Sequence, residues 1–211
     1  VSPREVGGDR GACGPLLYCR SRRLAVSILL LAAVAVTAFV LNDSLVKVGY
    51  SSDQNTPVTL ILLPAVSAVI LSATAHGSMQ PWDGLGGPVI RRARLTHTVL
   101  ASLGAALTAW ALLPTDILDG RGDAAVARNV VALCGLALLA VRVIGHALAW
   151  CVPLLLAAIA LTLGIEPQVS WLWSWLLAAN ADMGAGVTAA ALWLTGMVVF
   201  ARHGERRSTD L

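Results

Sequence analysis

The 211 residues would suffice for one or two soluble domains, but 57% of them are apolar and only 13% charged, with a mean hydropathy of +0.75. Ordinary globular chains run near 45–50% apolar and 25% charged, so a soluble protein is excluded and an integral membrane protein is implied. The net charge of +3 matters less than its distribution along the chain.

A helix crosses a bilayer with about 20 apolar residues, within a working range of about 17–25. The chain is therefore predicted to be an all-α integral membrane protein with six transmembrane helices, over 24–41, 58–75, 95–113, 127–144, 147–164 and 185–201. Continuous apolar runs lack the alternation that a barrel strand needs. The first run follows "CRSRR", as a signal peptide would, but it is too long for an h-region and lacks an A-x-A site. It reads as a retained span. A tail over 1–23 precedes the six-helix domain of 24–201, and a tail over 202–211 follows it.

Six spans put both termini on one side, and Lys and Arg decide which. With cytoplasmic termini, twelve basic residues lie inside, including Arg22, Arg23, Arg91, Arg92, Arg94 and Arg142, against Lys47, Arg121 and Arg128 outside. Seven of the twelve acids fall outside. The positive-inside rule thus predicts cytoplasmic termini, in the plasma membrane. Arg22, Arg23, Arg91, Arg92, Arg94 and Arg142 read as anchors that hold anionic lipid and set topology.

Segment 76–94, "HGSMQPWDGLGGPVIRRAR", is then the main cytoplasmic loop. Gln80, Trp82 and Asp83 make it a candidate docking loop, with Trp82 the aromatic anchor. The second span contains Pro64. The third carries Ala101, Gly104, Ala105, Thr108 and Ala109, a small-residue stripe that either packs closely against another helix or arises by chance in an Ala-rich chain.

Arg128 and Asn129 begin the fourth span on the acidic side. Arg128 is expected to pair with Asp116, Asp119 or Asp123, or to meet an anionic substrate group. Pro153 lies within the fifth span; both prolines are hinge candidates, with a static bend the preferred reading. Between spans five and six, "WLWSWLLAAN" is too short to cross the bilayer. It is expected to lie in the interface or to dip in as a short re-entrant helix. An aromatic belt of Trp171, Trp173 and Trp175 at the headgroups is the preferred reading.

Catalytic signatures are missing. The chain has no GxxxxGK[ST] phosphate loop, no HExxH and no G-x-S-x-G elbow. Cys13, Cys19, Cys134 and Cys151 form no CxxC pair and read as free thiols, and four scattered His suggest no metal site. "DILDGRGDAAVAR" opens like the D-x-x-D-G-x-x-A-R motif of CDP-alcohol phosphotransferases. Asp123 stands where that motif has alanine, Arg128 comes too late, and the downstream acids are missing. No catalytic, cofactor or metal residue is assigned, and nucleic acid is not an expected partner.

Six spans, cytoplasmic termini and one large loop after the second helix resemble the membrane half of an ABC-2-type exporter. The stretch "ARNVVALCGLALLAVRVIGHALAWCVPLLLAAIALTLG" is similar to small actinobacterial membrane proteins regarded as ABC transporter permeases. The resemblance implies a coupling loop at 76–94, a re-entrant element at 165–184, a separate cytosolic ATPase and a homo- or heterodimer. It implies no enzymatic activity in this chain. A non-transport accessory or immunity membrane protein is the alternative.

Overall fold

The computed structural model describes residues 24–40, 45–47, 55–75, 87–113, 122–164 and 172–203. Its elements, in chain order, are α1 (Leu24–Val40), β1 (Leu45–Lys47), β2 (Asn55–Pro57), α2 (Val58–Ala75), α3 (Gly87–Leu112), α4 (Asp123–Val143), α5 (His146–Ala149), α6 (Cys151–Leu163), α7 (Ser174–Leu177) and α8 (Met183–His203). Helix is the expected outcome, because hydrocarbon leaves backbone polar groups no partner but each other. Five helical stretches are long and apolar enough to cross a membrane: Val58–Ala75, Arg91–Leu112, Asp123–Val143, His146–Leu163 and Met183–His203. The chain is a helical membrane protein. α1 is similarly apolar and 17 residues long.

The all-α expectation omits one element, since β1 and β2 pair antiparallel between α1 and α2, with Val46 opposite Thr56. Helix α3 also begins at Gly87, not at 95. Arg91, Arg92 and Arg94 therefore stand on its first turns and not in a loop. Arginine is a good helix former, and Pro88 is tolerated in a first turn, where its missing N–H costs nothing. Similarly α4 starts at Asp123, an acid favoured by the helix dipole. α8 starts at Met183, because the Asp182 carboxylate accepts the Ala185 N–H at 2.9 Å as an N-cap.

The two prolines behave differently. Pro64 sits buried inside a continuous α2. Pro153 is not mid-helix: it is the third residue of α6, in a first turn that needs no proline N–H. Its ring would collide with the carbonyl four residues back, at Ala149, where α5 ends. Trp150 keeps helical dihedrals across this break, so the fifth span bends without reversing. At the turn from α4 into α5, Gly145 has φ +85, a conformation that side chains disfavour.

Helices α2 and α4 are interior. Within their most apolar 18 residues 72% and 67% are buried, against 22% for α3, 22% for His146–Leu163 and 28% for α8. α4 packs against α2, α3 and α8; α6 lies on α2, and α1 on α2 and α3. The backbones of α4 and α8 approach closely at a pair of glycines. A Cβ added at Gly135 would stand 2.5 Å from the Leu192 carbonyl oxygen and the Trp193 Cα, and one at Gly196 would collide with the Gly135 backbone. The stripe on α3 does not make such a contact: Thr108 is exposed, Gly104 faces open space, and Ala109 alone of that set is fully buried.

Candidate functional site

Most of the side-chain hydrogen bonds between segments distant in sequence gather at one place, the first two turns of α4 and the strap 172–182 that contains α7. The strap carries the residues expected as an aromatic belt, but Trp173 and Trp175 are only 5% and 7% exposed, packed inside the protein with Leu176 and Leu177. Trp171 lies outside the described residues. The Trp173 indole N–H donates to the Gly164 carbonyl at the end of α6 at 2.7 Å, and that of Trp175 to Leu172 at 2.9 Å. A buried indole needs such a partner. With its N–H satisfied within the protein, it has no need of the headgroup region.

A one-turn helix cannot satisfy its own carbonyls, and those of α7 are left for other groups to bond. Helix α4 supplies them. Arg128 donates from Nη2 to the carbonyls of Trp175 and Ala178, both at 2.9 Å, and from Nη1 to Ala179 at 2.8 Å. Asn129 is fully buried. Its amide donates to Leu176 at 2.7 Å and to Leu60, in the first turn of α2, at 3.2 Å. The Asn129 Oδ1 accepts from Arg128 Nε and Nη2, each at 3.3 Å. The planar, forked guanidinium suits several oxygens at once, which a lysine could not match.

The strap reciprocates. Asn180 Oδ1 accepts the backbone N–H groups of Gly122 at 3.0 Å and Ala125 at 2.9 Å, capping α4 from outside its own sequence. Arg128 and Asn129 thus hold the C-terminal end of α7 while Asn180 holds the N-terminal end of α4. Two runs of orphan backbone groups satisfy each other through three side chains.

The expected ion pair of Arg128 with Asp123 does not form; Asp116 and Asp119 lie outside the described residues. Asp123 Oδ1 instead accepts the Ala124 N–H at 2.7 Å, and among the described acids it is Asp182, on the strap, whose charge favours the Arg128 cation. Beside this latch, the Thr59 hydroxyl is buried without a hydrogen-bond partner. Lower in the bundle, Trp193 Nε1 on α8 donates to Ser102 Oγ on α3 at 3.0 Å, and Ser102 donates to the Thr98 carbonyl at 2.7 Å.

The docking candidates Gln80, Trp82 and Asp83, and the anchors Arg22 and Arg23, lie outside the described residues. Arg91 and Arg92 are exposed on α3, Arg94 is half-buried beside them, and Arg142 is half-buried in the last turn of α4. These four arginines stand at the start of α3 and the end of α4, away from the latch at the start of α4. Among the described residues no group of three or more His, Cys, Asp or Glu could hold a metal, and Cys134 and Cys151 are free thiols. Sequence reasoning singled out Arg128 and Asn129 but missed Asn180, Ser102 and the Gly135–Gly196 contact. The signal for Asn180 was present: "ANAD" just before an apolar run is a helix-start composition. Comparison of the chain with protein-family models, with characterised proteins and with solved structures finds no match.

Proposed function

We propose that the chain is the membrane-spanning permease subunit of an ATP-driven exporter in the plasma membrane, coupling a separate cytosolic ATPase to movement of a substrate. The observation that carries this reading is the short helix α7. It is buried in the protein between the fifth and sixth apolar stretches and latched to the central helix. A re-entrant element at that position is what the exporter resemblance calls for. In this reading α1 is the sixth span, both termini are cytoplasmic, and α2, α4 and α8 begin on the outer side. The ATPase engages segment 76–94 through Gln80, Trp82 and Asp83, and two copies of the chain, or this chain and a relative, complete the pathway.

The close backbone contact of Gly135 with Gly196 favours a second reading. A bundle whose central helices touch along their backbones is well suited to a static accessory or immunity subunit that binds a partner without transport.

Gentle purification of the tagged protein from its native host, with mass spectrometry of what accompanies it, separates the two. The permease reading expects a stoichiometric P-loop ATPase that is lost from a Trp82→Ala, Asp83→Ala variant. Recovery without any ATPase, under conditions that keep transporter complexes intact, refutes that reading and leaves the accessory one.

A further inference from the structure

Apart from Arg128, bonded within the latch, and Lys47 on β1, the charges of the described residues divide along the bundle axis. Both acids, Asp123 and Asp182, sit at the latch end. The opposite end carries Arg91, Arg92 and Arg94 on α3, Arg142 on α4, and Arg202 and His203 on α8.

The contacts between helices bring these groups to one level. Asn180, just before α8, caps the start of α4, and Gly135 meets Gly196 further along, so α4 and α8 run parallel. From that contact Arg142 and His203 each lie seven residues on, about 10 Å along the axis at 1.5 Å per residue. Helix α2 also runs parallel to α4, since the Leu60 carbonyl meets Asn129 near the start of both. Helix α3 lies between them in sequence and returns the chain, because connections are short. The Trp193–Ser102 bond therefore sets an antiparallel register. Arg94 lies eight residues back from Ser102 and Arg202 nine on from Trp193, about 12 and 13 Å toward the same end.

Apolar side chains stand exposed within a turn or so of these cations: Leu95 on α3, Val143 and Ile144 at the end of α4, and Val198 on α8. A ligand that fits both features has an anionic head and an apolar body.

We propose that the end of the bundle formed by α3, α4 and α8 is a binding site for anionic phospholipid, with Arg91, Arg92 and Arg202 holding the headgroup phosphate and the exposed Leu95 and Val198, about one turn deeper, meeting the acyl chains. Its chemistry is charge-assisted bonding from guanidinium to phosphate, in which forked donors match the oxygens. The site is independent of whether the protein is a permease.

The test uses the full chain in nanodiscs of phosphatidylcholine doped with phosphatidylglycerol, compared with phosphatidylcholine alone, and native mass spectrometry of retained lipid. Each basic residue near an anionic surface contributes about 1 kcal/mol, a factor of about five. An Arg91→Gln, Arg92→Gln, Arg202→Gln variant is therefore expected to retain phosphatidylglycerol at least about tenfold more weakly, while Lys47→Gln, on β1, retains it like the parent. Because loss of arginine can alter insertion, a second measurement uses the parent alone: its lipid preference should fall as salt rises from 0.05 to 0.5 M, as an exposed ionic contact must. Equal retention of both lipids by the parent overturns the proposal. So does an undiminished preference in the triple variant, or competition by inorganic phosphate as effective as that by the lipid, which would mark a free-anion site.

Discussion

Asn129 is the residue whose loss the structure makes most consequential. Asn129→Leu keeps the number and branching of the side-chain heavy atoms but removes both donors and the acceptor. The carbonyls of Leu60 and Leu176 lose their 3.2 and 2.7 Å bonds, and Arg128 loses one of its oxygens. At about 0.6 kcal/mol for an average polar contact within a membrane protein, two bonds give about 1.2 kcal/mol. A buried carbonyl left unpaired costs about 1–3 kcal/mol, which raises the upper value to about 4 kcal/mol if the site stays dry. The expected destabilisation is thus about 1–4 kcal/mol, read as a shift in reversible unfolding by denaturing detergent added to a mild one. The same variant should loosen the strap. Cysteine placed at Ala178, in a background with Cys13, Cys19 and Cys151 replaced by Ser, should label with a water-soluble maleimide at least about threefold faster when Asn129 is Leu, because one strap bond of about 0.6 kcal/mol is lost. A stability change under about 0.5 kcal/mol together with unchanged labelling would refute the latch as a source of stability.

Two further substitutions test packing and polar satisfaction. Gly135→Ala places a methyl 2.5 Å from two backbone atoms of α8, where ordinary contact begins near 3.4 Å; the helices must part by nearly 1 Å, at about 1–3 kcal/mol, and adding Gly196→Ala should cost less than the sum because one separation accommodates both. Additive losses in a double-mutant unfolding cycle would refute the contact. Thr59→Val removes a buried hydroxyl that has no partner and should stabilise the protein by about 1 kcal/mol in the same assay; a loss of stability would mean that the hydroxyl is bonded in the membrane.

The helices were legible in the sequence because length and apolarity suffice to define a span. Their boundaries were less so. Arg91, Arg92 and Arg94 break an apolar run without breaking a helix, so charge marked the edge of the apolar stretch but not the end of α3. The strap was misread for a related reason. A tryptophan at a headgroup and one inside a protein present the same pattern in sequence, and what distinguishes Trp173 is a carbonyl at Gly164 on another helix. Arg128 was recognisable as an unusual charge, but of the acids the sequence suggested as partners, Asp123 turns instead to the Ala124 N–H. Three of the oxygens Arg128 bonds across to the strap are backbone carbonyls, which every residue has and no composition reveals. Gly135 and Gly196 are far apart in a chain with many glycines, and only the parallel register of α4 and α8 selects that pair.

The latch also limits what the strap can do. Six hydrogen bonds join it to α4: three from Arg128, one from Asn129 to Leu176, and two accepted by Asn180. At about 0.6 kcal/mol each they sum to about 3.6 kcal/mol, which alone would hold the strap open in only about one molecule in 400. Apolar burial adds little to this for a strap that would re-expose its leucines to lipid, because hydrocarbon offers no hydrophobic drive. Opening is therefore set by polar geometry, and it is too costly to be frequent yet within the few kcal/mol that a differentially bound ligand or partner supplies. A strap held mainly by apolar packing would respond weakly to Asn129→Leu. One held by these bonds should open about tenfold more often for every 1.4 kcal/mol removed, so the labelling rate at Ala178 and the measured loss of stability must move together.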